Sequence, residues 1–311
     1  MVAVDIVEVG PRDGLQNERR VLEVDTRIEL IRRMVERGAH RIEAASFVRP
    51  DRVPQMASAE EVLAGVPRPA DVSYIGLVLN GRGAQRAVDA GCDEINVVVP
   101  VSEEFSRRNQ GMGVAEMLGH AGSAIALARQ GGARVSVTLA VAFGCPFSGV
   151  VDDRVPEIYD RVADLGLDEI AFADTVGVGV PRQVRELVRL VEADGRVPDL
   201  RFHFHNTRNT GYANAMAAWE ATTRDRIALD ASVGGFGGCP FAPRATGNIA
   251  TEDLAYLMIG EGLEVDLDLA DLLQDAEWLA AELGSPVQAL LGRSGGFGTA
   301  TPTGAGRRAR A

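Results

Sequence analysis

Short apolar runs bounded by turn residues alternate along this chain with stretches whose apolar positions recur every three to four residues. The first pattern marks buried strands and the second amphipathic helices. Strands are expected at Val4–Glu8, Arg41–Ala44, Val72–Leu79, Glu94–Val99, Arg134–Val141, Glu169–Ala173, Leu200–His205 and Arg226–Ala231. Helices are expected between them at Thr26–Arg37, Ser58–Ala64, Gly83–Ala90, Glu116–Arg129, Asp153–Leu165, Pro181–Ala193 and Asn214–Ala221, with an eighth near Thr251–Ile259 capped by Thr251. Eight strand–helix beats within about 250 residues predict an α/β fold of the (β/α)8 TIM-barrel type. An open doubly wound sheet is the alternative. No G-x-G-x-x-G follows the first strand, which counts against its dinucleotide-binding form.

One more periodic stretch, about Leu269–Leu283, is expected to pack on the barrel exterior or on a partner subunit. From Gly292 the chain turns to Gly, Thr, Ser, Pro and Arg, a composition expected to be disordered. The expected division is a barrel over 1–262, a helical extension over 263–291 and a tail over 292–311.

Composition narrows the function. With 32 Lys+Arg against 44 Asp+Glu the formal charge is −12, which argues against nucleic acid as the main partner. No apolar run approaches the roughly 20 residues needed to cross a bilayer. Three cysteines, two of them in Gly-Cys-Pro-Phe contexts, do not suggest a disulfide framework. The first strand starts at once, leaving no room for a leader, so a cytoplasmic setting is expected.

Candidate chemistry gathers at strand ends, where ligands bind in parallel α/β folds. The first strand breaks at Gly10-Pro11 and is followed by Arg12 and Asp13, a charged pair that needs a partner or ligand if buried. On the seventh strand His203 and His205 alternate with Phe202 and Phe204, so both imidazoles face one way, an arrangement suited to a divalent ion. After the eighth strand, four glycines in the five residues 234–238 precede Cys239, a candidate acid or base on a closing loop, and Asn248 follows as an oxygen ligand. One carboxylate, two imidazoles and an amide oxygen suit Mg²⁺ or Mn²⁺ better than Zn²⁺. Gln16, Glu43, Ser46, Asp174 and Thr175 are further candidates for the mouth, and Cys145 is the second-choice thiol. Arg19, Arg20, Arg49 and Arg52 favour a phosphorylated ligand.

Taken together, Val7–Glu18, Ile42–Pro50, Gly144–Pro146, Asp174–Gly179, His203–His205, Gly237–Phe241 and Gly247–Leu254 resemble the hydroxymethylglutaryl-CoA lyase family of divalent-metal TIM-barrel lyases. The likeness runs from about Val7 to Gly262. It implies a metal held by Asp13, His203, His205 and Asn248, Arg12 stabilising an enolate, and Cys239 transferring a proton. The implied reaction is retro-Claisen cleavage of a 3-hydroxyacyl-CoA to acetyl-CoA and a keto acid, with His203 or Asp13 taking the hydroxyl proton. The implied partners are an acyl-CoA substrate and further copies of the chain, as a homodimer or higher homo-oligomer. A metal-dependent aldolase, a Claisen-type synthase and a non-catalytic member of the family are the competing readings. Asn206 and Arg208 stand where the family commonly has Asp and Tyr, and an inward-pointing Arg208 would alter which acyl group is preferred.

Overall fold

The computed structural model describes residues 2–238 and 247–295. Strands β1 (Ala3–Glu8), β2 (Arg41–Ser46), β3 (Ser73–Val78), β4 (Glu94–Pro100), β5 (Arg134–Ala140), β6 (Glu169–Asp174), β7 (Asp199–Phe204) and β8 (Arg226–Ala231) pair in parallel, in sequence order, and close as a barrel. All eight lie within two residues of their expected limits. The closing register sets Val7 beside Asp230 and His203 beside the same Asp230, which brings the first, seventh and eighth strand ends together.

Alternation sorts each strand's side chains into two environments. Phe172, Phe202 and Phe204 are fully buried, with Phe202 stacked on Phe204 at 5.4 Å and tilted against Phe172 at 5.7 Å between centroids. A small separate cluster of Val7, Val9, Ile75 and Ala228 forms an apolar waist. At the strand starts, Arg41 binds Glu169 at 2.8 Å and Glu94 at 2.7 Å, while the fully buried Arg201 lies 3.1 Å from Glu169. Charges this deep persist only when paired, and here both buried glutamates meet an arginine. The wide opening is therefore at the other end.

Helices α1 (Val24–Glu36), α2 (Ala59–Gly65), α3 (Gly81–Asp89), α5 (Val114–Gln130), α6 (Arg154–Ala163), α7 (Pro181–Asp194), α8 (Gly211–Ala221) and α9 (Thr251–Gly260) answer the expected ones. Helix α4 (Glu103–Gln110) was not anticipated. Only Phe105 and Ser106 of it are buried, so it lacks an apolar stripe. Local signals hold it instead: the Ser102 cap accepts from Phe105 N, Glu103 and Glu104 occupy the first turn, and Arg107 and Arg108 the last. Helix α9 is capped at Ala250 rather than Thr251, whose hydroxyl donates instead to Glu8 Oε2 at 2.6 Å.

The extension forms α10 (Leu269–Leu283), which packs on the barrel exterior against α1. Buried Asp275 accepts from Arg33 Nη1 at 2.6 Å and Arg37 Nε at 2.8 Å, and Arg33 lies over the Trp278 ring. A short helix, α11 (Leu291–Ser294), stands where disorder was expected to begin. Its start is fixed by the Asp253 carboxylate, which accepts from Leu290 N and Leu291 N. Residues 296–311 of the expected tail lie outside the described residues. No helix of the described chain is long and apolar enough to cross a membrane.

Candidate active site

Gly10-Pro11 does more than break the first strand. Residues Gly10–Gly14 wind into one π-helical turn in which Arg12 N, Asp13 N and Gly14 N all donate to the Val9 carbonyl. Such turns are rare and collect at functional sites. Below the turn, Glu8 Oε1 accepts from Gly10 N at 2.7 Å and from Val233 N at 3.0 Å. One buried carboxylate thus ties the Arg12–Asp13 turn to the loop that follows β8.

Asp13, His203 and His205 converge, with candidate ligand atoms all within 4.8 Å of one another. His203 Nδ1 lies 3.1 Å from Asp230 Oδ2, and its Nε2 3.7 Å from Asp13 Oδ2. His205 Nδ1 donates to the Asp174 carbonyl at 2.9 Å, leaving Nε2 4.0 Å from the same Asp13 oxygen. In each ring the outer partner holds Nδ1–H and turns the Nε2 lone pair toward Asp13, the device that commonly orients metal-binding histidines. An isolated bridge between His205 and Asn248 brings the amide alongside, and Asn248 Nδ2 donates to Asp13 Oδ2 and Phe236 O, both at 3.0 Å.

Two buried polar atoms test the fit of a metal. His205 Nε2 and Asn248 Oδ1 are among the buried atoms that lack a hydrogen-bond partner within the described residues. Buried acceptors left open are uncommon and call for an explanation. Both belong to the predicted ligand set, beside a carboxylate, so the donor chemistry fits a divalent cation. Protonation agrees. Burial and neighbouring His203 push the His205 imidazole down to about 4, leaving it neutral near pH 7. Burial alone would raise the Asp13 carboxyl, but Arg12 and the two histidines hold it well below the usual carboxylate range.

The Arg12 side chain is buried between two carboxylates, paired with Asp13 and donating from Nε to Glu43 Oε2 at 2.6 Å. Arg12, Asp13, Gln16, Thr175, His203 and His205 share the wall of a cavity of about 1230 Å³ at the strand ends. Glu43, Ser46, Asp174 and Asn248 do not line it. Glu43 stands behind Arg12; Ser46 is fully buried; Asp174 uses its carboxylate to accept from Val178 N and Gly179 N. Thr175 also supports the backbone. Its Oγ1 accepts from Val141 N, which stabilises a β-branched residue held at φ +55°.

Arg49 and Arg52 reach the cavity, as do Arg82, Arg86 and Arg108, whereas Arg19 and Arg20 are not on its wall. Arg208 is not on the cavity wall; its Nη1 donates to the Val176 and Gly177 carbonyls. Asn206 accepts from Gly211 N at the start of α8. The inward-pointing Arg208 that would alter acyl preference is thus not the arrangement seen. Cys145 is buried away from the cavity, its sulfur accepting from Phe147 N at 3.5 Å. Cys239 lies outside the described residues.

Asp230 was missed as a site residue. Its signal is a lone carboxylate in the otherwise apolar end of β8, shortly before the Gly-rich segment, where nothing apolar explains it.

The HMGL-like family model matches residues 3–278. The chain is 44% identical over 308 residues to the (R)-citramalyl-CoA lyase of Chloroflexus aurantiacus, covering 95% of this chain and 96% of that one. It is 41% identical over 286 residues to the hydroxymethylglutaryl-CoA lyase of Pseudomonas mevalonii, covering 92% and 94%. An HMG-CoA lyase of Acinetobacter baumannii, solved in complex with coenzyme A and 3-methylmalate, superposes with a TM-score of 0.89 at 37% identity, covering 97% of each chain. These relatives act on CoA thioesters by name, and both named activities are lyases. The chain is an enzyme of the HMGL-like family, in the branch that contains the hydroxymethylglutaryl-CoA and citramalyl-CoA lyases.

Proposed function

We propose that this enzyme cleaves the carbon–carbon bond of a 3-hydroxyacyl-CoA with a tertiary carbinol carbon, releasing acetyl-CoA and a keto acid. Hydroxymethylglutaryl-CoA and citramalyl-CoA both meet that description. The observation that carries the reading is the convergence of Arg12 and the Asp13–His203–His205 cluster on one wall of a cavity that five more arginines reach.

Asp13, His203, His205 and Asn248 would hold Mg²⁺ or Mn²⁺. When bound, such an ion supplies Lewis-acid acidification of the 3-hydroxyl and neutralises nearby negative charge. The chain's own residues do the rest. Asp230 holds His203 Nδ1–H so that Nε2 faces the ion position, and the Asp13 carboxylate can accept the hydroxyl proton. As the C–C bond breaks, its electrons pass to the thioester carbonyl, and Arg12 stabilises the oxygen where that charge develops. Cys239 returns a proton to the enolate carbon, completing acetyl-CoA. Arg49, Arg52 and Arg82 favour the phosphates of coenzyme A. We assign the enzyme to the cytoplasm, as a homo-oligomer.

Incubating the protein with Mg²⁺ or Mn²⁺ and a panel of thioesters, scored for acetyl-CoA, tests this. Hydroxymethylglutaryl-CoA or citramalyl-CoA should yield acetyl-CoA and the matching keto acid. Failure of both, with the protein folded and the ion bound, overturns the reading.

A further inference from the structure

A line of hydrogen bonds runs from Arg12 across the cavity floor, and the cleavage steps do not use it. Glu43, fully buried on β2, spends Oε2 on Arg12. Its Oε1 accepts from Asn96 Nδ2 on β4 at 3.0 Å, and Asn96 Oδ1 accepts from Thr138 Oγ1 on β5 at 2.9 Å. Asn96 and Thr138 both line the cavity, and Asn96 is almost wholly buried. Donation converges on Glu43: hydroxyl to amide to carboxylate from one side, and guanidinium to carboxylate from the other. The two ends of an amide have nearly the same shape, so polarity alone makes Nδ2 face Glu43 and Oδ1 face the hydroxyl.

We propose that Asn96 and Thr138 are positioning residues for carbon–carbon cleavage, holding Arg12 in place through Glu43. The proposal rests on the reading that gives Arg12 the developing oxygen charge. Arg12 lies between Asp13 and Glu43, and both compete for it. Glu43 Oε1 has Asn96 as its partner. Without that bond, a fully buried carboxylate oxygen is left open, and Glu43 regains a partner by turning toward the remaining Arg12 nitrogens or toward the cavity. Either movement displaces the guanidinium. Apolar side chains of the same size would fill the floor equally well, so packing does not account for three polar groups in series on the barrel's inner face.

Thr138→Val keeps the shape and removes the hydroxyl, and Thr138→Ser keeps the hydroxyl. Asn96→Asp keeps the shape and replaces the donor facing Glu43 with a second carboxylate. On the thioester that wild type cleaves, Thr138→Val and Asn96→Asp should lower kcat by up to about 10²-fold, the scale of a small misplacement. KM and calorimetric Mn²⁺ affinity should hold, and Thr138→Ser should restore most of kcat relative to Thr138→Val. Wild-type kcat in Thr138→Val, equal losses in Val and Ser, or a rise in KM alone would overturn the proposal. Arginine-selective ¹⁵N spectra, assigned with Arg12→Lys, read the same claim without turnover. The Arg12 Nε–H signal should shift and exchange faster in Thr138→Val. An unmoved signal overturns the positioning role, whereas a wild type inactive on every thioester overturns only the proposed reaction.

Discussion

Replacing Asp230 with Asn changes almost no volume and tests how the site sets its own tautomers. Asp230 Oδ2 faces His203 Nδ1 at 3.1 Å, and Oδ1 takes Arg201 Nη1 at 3.4 Å. An amide cannot serve both. If its oxygen stays on Arg201, the NH₂ confronts His203 Nδ1–H. The ring must then carry its proton on Nε2, aimed at the metal position. If the amide turns over, two donors meet at Arg201 instead. Either way one orienting contact is lost, and loss of such a partner typically costs about 10–100-fold in metal affinity. At about 1.4 kcal/mol per tenfold, that is roughly 1.4–2.7 kcal/mol. Arg201 keeps Glu169 at 3.1 Å, so the protein should remain folded. Calorimetric titration with Mn²⁺, beside a thermal melt, reads both quantities. Wild-type affinity in a folded Asp230→Asn protein would refute the claim that Asp230 fixes the ligand tautomer.

Four further outcomes are expected. Arg12→Met should bind metal and thioester but lose about 10²–10³ in kcat; unchanged kcat with a raised KM would make Arg12 a binding group. Alkylation of Cys239 should abolish turnover, with substrate protecting it, and Cys239→Ser should lose rate without unfolding; a rate loss in Cys145→Ser instead would transfer the role. Arg52→Glu combined with Arg82→Glu should raise KM and spare kcat, with wild-type KM rising with salt; a salt-independent KM would remove the phosphate role. Burial opposes the charge of Glu169, but Arg201 and Arg41 hold its carboxyl well below the usual range. Its stabilisation is therefore present above the ordinary carboxylate pKa, about 4.3, and is lost as pH falls further. Glu169→Gln should lower Tm at pH 7 and weaken its fall below about pH 4; identical Tm–pH profiles would contradict this.

The barrel is legible because its strands are short, apolar and cleanly punctuated, and because His203 and His205 obey the period-2 rule that turns them to the same side. The π-helical turn is not legible, since Gly10-Pro11 announces only a break. The bridge from His205 to Asn248 is likewise invisible, because it joins segments 43 residues apart. Glu43 and Asp174 are rightly singled out as strand-end carboxylates, yet one faces an arginine and the other its own turn. Residue type and position locate a site; which partner each group meets depends on side-chain geometry that no spacing encodes.

The central claim is that one divalent ion, held by Asp13, His203, His205 and Asn248, enables acyl-CoA cleavage. The most direct measurement strips the protein with chelator and titrates Mn²⁺ back while following acetyl-CoA release from hydroxymethylglutaryl-CoA and citramalyl-CoA. Release should start near zero and saturate at one ion per chain, and His205→Ala should require at least about tenfold more Mn²⁺. Full activity in the stripped protein, or wild-type Mn²⁺ dependence in His205→Ala, would contradict it.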